Sequence, residues 1–186
     1  MRTIWQGTDS LFLTSIPKFK KHKILYIIAL RIFARLSDIF AQEHYACGEL
    51  VERNLKCFGL KKPIKQYNTK VNTEGIKRVE HKEFNILYYL PNEGKDKFKN
   101  WLYGYDIFCE IKKNITGANF IVVCGNKNMS NIYPIIDLLI RPNRHDGVPR
   151  MVNECKELKI PYIWTNENPN VQTIINQIKI YQNEMV

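Results

Sequence analysis

The sequence predicts an α/β protein built on a Rossmann-like parallel sheet with helices on both faces. Three observations lead there. Short apolar runs rich in β-branched and aromatic residues recur at 85–91, 118–125 and 134–140, each of a length that suits a strand buried on both faces. Helical patterns alternate with these runs, which is the order of a parallel sheet whose ligands sit beyond the carboxyl ends of its strands. Hydrophobic residues make up 45% of the 186 positions and aromatics 12%, enough for a sizeable core and too many for a disordered chain.

Taken in order, residues 3–13 read as a strand, a turn at Gly7 and an acidic residue, Asp9. An apolar helix covers 24–38, a strand-like segment 39–41 follows, and a second helix runs from about Glu43 to Phe58, closed by Gly59. Gly59 and basic residues then introduce the segment 63–72. The strand at 85–91 is ended by Asn92-Glu93-Gly94. A helix over 101–112, its start near Gly104, leads to the strand at 118–125 and then, after a short connector, to the strand at 134–140. Arg141-Pro142-Asn143 ends that strand, since Pro cannot donate to a ladder and Asn favours turns. Asp146-Gly147 is a second turn signal, and Pro149 suits the first turn of the helix that follows. A fourth strand at 161–165 and a final helix complete the order.

The junction at 141–154 carries the candidate site. The free N–H groups at the helix start, with Arg144 and Arg150 nearby, offer a receptor for a phosphate or diphosphate. Glu154 falls one to two turns into the helix, where a carboxylate accepts hydrogen bonds from paired hydroxyls such as those of a ribose. Asp146, at the mouth of the loop, would reach hydroxyls of a second group. The plainer reading stands beside it: Asp before Gly as a turn residue, and Glu154 as a solvated charge near Lys156 and Glu157. His145 reads equally as a solvated loop residue or a ligand contact.

Asp146, seven intervening residues and Glu154, with Ile-Asp137-Leu-Leu-Ile-Arg-Pro before and Cys155-Lys-Glu-Leu-Lys-Ile-Pro161-Tyr-Ile-Trp-Thr165 after, resemble the nucleotide-sugar signature of the retaining GT-B-fold glycosyltransferases of the large group 1 class. The first acid is Asp where that family has Glu, one methylene shorter. The resemblance implies that Glu154 binds the ribose of a nucleotide diphosphate sugar and that Asp146 lies near the donor sugar. The amides of Gly147 and Val148, with Arg144, His145 or Arg150, would contact the donor. Basic groups after the first strand of the donor half neutralise the diphosphate in that family, which points to Lys95 or Lys97 in the Lys95, Lys97, Lys99 cluster. The implied organisation is a partial acceptor-side region at 1–72, with Gly7 and Asp9 in an interdomain loop, and a donor-nucleotide domain at 73–186. The chain would then begin partway through its first domain, as a compact enzyme, a fragment completed by a partner subunit, or a degenerate remnant.

Charge and cysteine usage bound the partners. The net charge is +10, and Lys18, Lys20, Lys21, His22 and Lys23 directly precede the apolar run 24–30, with Arg31 and Arg35 beyond it. That run falls far short of the ~20 residues of a spanning helix, and no signal-peptide cleavage site follows. Residues 18–36 therefore read either as a core helix with a charged lead-in or as a helix lying on an anionic membrane surface. Five scattered cysteines without a C-x-x-C pair read as reduced thiols of a cytoplasmic protein, peripheral to the inner face of a membrane if residues 18–36 dock there, and four histidines show no metal spacing. The leading expectation is a metal-independent glycosyltransferase acting on a glycan or lipid-linked acceptor, active alone, as an oligomer or with a second subunit. A non-catalytic nucleotide-binding subunit of a split transferase comes second. A nucleic-acid-binding domain ranks last, because Tyr88, Tyr89 and Tyr162 fall in strand patterns that predict burial rather than an exposed stacking surface.

Overall fold

A computed structural model describes residues 2–14, 24–91, 95–125 and 127–184. The basic run 18–23 and the turn at 92–94 lie outside the described residues. The chain divides into two compact units, Met1–Lys70 with His145–Pro149, and Val71–Arg144 with Arg150–Val186.

The first unit contains β1 (Arg2–Trp5), α1 (Gly7–Thr14), α2 (Ile24–Phe40), β2 (Glu43–Ala46), α3 (Glu49–Phe58) and β3 (Ile64–Gln66). Its three strands form a parallel sheet in the order β1-β2-β3. Trp5, Leu13, Ala34, Ala46, Val51, Leu55 and Leu60 fill its core. Two expectations are corrected here. Residues 39–41 are not a strand: Ile39 and Phe40 continue α2, and the Ala41 N–H still reaches back to the Ser37 carbonyl. Nor does a helix start at Glu43. Residues Glu43–Ala46 pair in parallel with both β1 and β3, and the helix waits for the positive φ of 102° that Gly48 supplies at its N-cap.

The second unit contains β4 (Phe84–Leu90), α4 (Lys97–Leu102), α5 (Tyr105–Asn114), β5 (Ala118–Cys124), β6 (Leu138–Pro142), α6 (Arg150–Glu157), β7 (Tyr162–Thr165) and α7 (Val171–Glu184). The sheet is parallel with order β5-β4-β6-β7. Alternate side chains cover opposite faces, as the strand period requires. Ile86, Tyr88, Leu138 and Ile140 pack with Ile107, Phe108 and Ile111 of α5 and Ile174, Ile175 and Ile178 of α7. Leu87 and Leu139 pack on the other face with Val152 and Cys155 of α6 and with Tyr133 and Ile136. This double cover is why β4 and β6 read as continuous apolar runs.

Three boundaries differ from expectation. The helix expected over 101–112 is two helices, because Gly104 takes the left-handed region at φ 65° and breaks the chain between them. The strand expected from Pro134 begins at Leu138, since Tyr133–Ile135 form a 3-10 turn with Pro near its start. It also runs on through Pro142, which pairs with Thr165 at the end of the ladder.

Candidate functional site

In the second unit, the chain leaves β4 for its neighbour β5 on one side and then returns to β6 on the other. The strand order therefore reverses between β4 and β6, and the carboxyl ends of a parallel sheet leave a crevice at such a reversal. Arg141 stands there, buried, with its guanidinium carbon 5.8 Å from the centre of the Tyr89 ring and 5.3 Å from that of Tyr103. The next residue, Pro142, is held by a close approach: a Cβ on Gly104 would lie 2.0 Å from the Pro142 carbonyl oxygen. Lys95 and Lys97 both lie exposed in the β4–α4 connection, Lys97 as the first residue of α4. Asp96 caps that helix by accepting from the Phe98 and Lys99 amides.

Arg144 has a different position from the one expected of a phosphate ligand. Its guanidinium forks onto Asp106 at 2.8 and 2.6 Å and donates to the Trp101 carbonyl at 2.7 Å, while its own amide donates to Leu102. The arginine hydrogen bond holds the Asp106 carboxyl below the usual carboxylate range. Arg144 thus ties the end of β6 to α4 and α5, a structural clamp.

Helix α6 begins at Arg150, with Pro149 just ahead of it. Glu154 is buried at the second turn. Its Oε1 accepts from Arg150 Nε at 2.8 Å and its Oε2 from the Tyr133 hydroxyl. Burial and this carboxylate together push the Tyr133 phenol up, so it remains a donor. The neighbouring Cys155 thiol is pushed up to about 12, mainly by burial. Glu154 is therefore not the solvated helix charge of the plainer reading. Each of its oxygens holds one donor and keeps a second lone pair.

Residues 145–149 belong to the first unit. His145 is buried, and its Nε2 accepts from Asn54 Nδ2 at 2.8 Å; the same amide reaches Ser10 Oγ at 3.3 Å. The Val148 amide donates to the Cys47 carbonyl at 2.9 Å. Gly147 presses on the same carbonyl, where a Cβ would come within 2.2 Å. The Val148 N–H is thus committed to Cys47, and His145 anchors the turn to α3 rather than facing solvent. Asp146, between them, is partly exposed. Gly7 opens α1, and burial raises the carboxyl of Asp9 in that helix above its ordinary range against the opposing Gln6 backbone bond.

A cavity of about 350 Å³ lies beside β7 and α7, lined among others by Tyr162, Thr165, Asn168, Thr173, Gln177 and Tyr181. None of residues 141–154 lines it. Compared with protein-family models and with curated proteins, the chain has no match.

Sequence reading missed Arg141 as more than a strand terminator, although a cation closing an apolar run was the available signal. Tyr133, Asp106 and Asn54 had none. They reach their partners across 21, 38 and 91 residues, distances over which no local pattern carries information.

Proposed function

We propose that the chain binds a nucleotide diphosphate sugar and transfers its sugar, with retention, to a glycan or lipid-linked acceptor. The observation that carries this reading is Glu154, a buried carboxylate with spare lone pairs, on the helix that follows β6 at the reversal of the parallel sheet. Pinned from two sides, it would meet a ribose without having to order itself first. Arg150 beside it, Arg141 at the end of β6, and Lys95 and Lys97 after β4 supply positive charge for the diphosphate. The start of α6 adds its dipole. In this reading no metal is demanded for the leaving group.

A second reading has its own support. Arg144 and the Val148 amide are spent on internal partners, which suits a subunit that binds a nucleotide and leaves turnover to another chain. Tyr88 is buried and stacked on Phe108, and the Tyr162 ring is covered by Lys156. Of these two, Tyr88 is withdrawn from stacking on a base, while Tyr162 is only half-buried.

Calorimetric titration of the full chain with uridine and guanosine diphosphates and with single-stranded RNA tests the reading. One nucleotide should bind, and Glu154→Ala should weaken it about ten- to a hundredfold by removing hydroxyl contacts. Unchanged affinity in that variant would sink the site. RNA binding without nucleotide binding would overturn the class. Binding intact but no hydrolysis or transfer from a panel of sugar nucleotides would select the subunit reading.

A further inference from the structure

Helix α2 is apolar on two sides, and among the described residues only one of them is packed against the rest of its unit. Its inner side buries Ile27, Ala34 and Ser37, with Leu30 packed against the core. On the opposite side Leu25, Ile28, Ile32, Leu36 and Ile39 follow one another at spacings of three and four residues, so they form one stripe. Phe33 and Phe40 widen it. Exposure along this face runs from 48% at Ile28 to 78% at Leu25. A helix apolar all round is ordinarily buried all round, and an exposed patch of this extent marks an interaction surface.

All three charged residues of α2 are drawn off that face. Arg31 donates to the Phe12 carbonyl, and Arg35 to the Gly59 and Phe58 carbonyls while lying over the Phe58 ring. Asp38 accepts from the Lys61 and Lys62 amides. The outcome is an uncharged stripe about four turns long, flanked on the helix by Arg31 and Arg35, with the Lys61 and Lys62 backbone held to Asp38.

We propose that this face of α2 lies in the surface of an anionic lipid bilayer. Among the described residues no helix is long and apolar enough to cross a membrane, and the 17 residues of α2 span roughly 25 Å, a length suited to lying in the interface plane. The basic border and the net charge of +10 attract anionic headgroups. The same charge sets two copies of the chain against each other, which disfavours a self-associated face. An apolar stripe bordered by basic side chains is the form that interfacial helices take. Helix α2 and its flanking cations belong to the first unit and share no residue with Glu154, Arg141 or the β4–α4 lysines.

The test is co-flotation of the full chain with phosphatidylcholine vesicles, with and without phosphatidylglycerol. The anionic vesicles should retain at least about tenfold more protein, an advantage that shrinks with added salt. The double variant Ile32→Glu, Leu36→Glu should lose roughly a hundredfold in partitioning. Ile180→Glu, at an exposed apolar position on α7, is the control and should bind as the parent does. Leu25→Ser and Phe40→Ser, at the two ends of the stripe, provide milder changes with severalfold losses should the double variant unfold. Equal binding by parent and stripe variants, or none to anionic vesicles, overturns the proposal. So does a dimer in light scattering that the double variant dissolves while vesicles capture nothing, since the occupant would then be a second copy.

Discussion

Asp38 joins three parts of the first unit through one carboxylate. It accepts from the Lys61 and Lys62 amides and from His44 Nε2 at 3.1 Å. The tautomer of His44 follows from its other side: the Trp5 indole, which can only donate, points at Nδ1, so the ring proton sits on Nε2 and goes to Asp38. Burial works against the Asp38 charge, but the Lys62 and Lys61 amides and His44 outweigh it and hold the carboxyl below its ordinary range. Its folded pKa therefore lies under the unfolded value of about 3.9. The stabilisation is complete above that value and is lost as pH falls through the lower, folded one. Asp38→Ala should cost about 1–2 kcal/mol at neutral pH by stranding its donors, and the deficit should vanish in acid. Chemical denaturation at pH 7 and below pH 3 checks both. At Glu154 stability and binding separate: Glu154→Gln keeps an acceptor for Tyr133, so its unfolding midpoint should stay nearer the parent's than that of Glu154→Ala, where the buried phenol loses its partner.

At the scale of elements, the break between α4 and α5 is the most exacting piece of geometry. Gly104 combines a φ of 65° with a carbonyl where a side chain would begin. Gly104→Ala should destabilise by at least about 2 kcal/mol, and the near-ultraviolet signal of the Tyr88–Phe108 stack beside it should change, since Tyr88 also donates to the Tyr103 carbonyl. The sequence marked a glycine near the start of a helix, yet the reason for it, the Pro142 carbonyl, lies 38 residues away. Elements buried on both faces were legible: β4 and β6 read as strands because a central strand is apolar without interruption, whereas β5 and β7, half-buried at the edges of the sheet, were legible from their β-branched and aromatic residues. Strand β2 was not. Its Glu-His-Tyr-Ala alternates, and its buried His44 looks polar until Trp5 and Asp38 are seen to satisfy it.

Over the whole molecule, the doubly covered sheet should set the order in which the chain opens. Amides of Ile86, Leu87, Leu139 and Ile140 lie in central strands walled by both clusters. Hydrogen exchange should be slowest there and orders of magnitude faster in β3, an edge strand of three residues with exposed side chains; comparable rates would contradict the layering. The candidate site was legible in the same uneven way. Spacing put Glu154 on the helix after β6, but which cations remain for a ligand depends on tertiary pairs such as Arg144 with Asp106 that spacing does not encode. The chain also carries its own reporter of local opening beside the 145–149 turn. The buried Cys47 offers its carbonyl to Val148 and takes Gly147 against it, while burial keeps its thiol protonated above the usual range. Cys57, by contrast, is exposed. A maleimide pulse should tag Cys57 at once and Cys47 only after a local opening that uncovers its buried thiol, so the lag between the two labels times that opening.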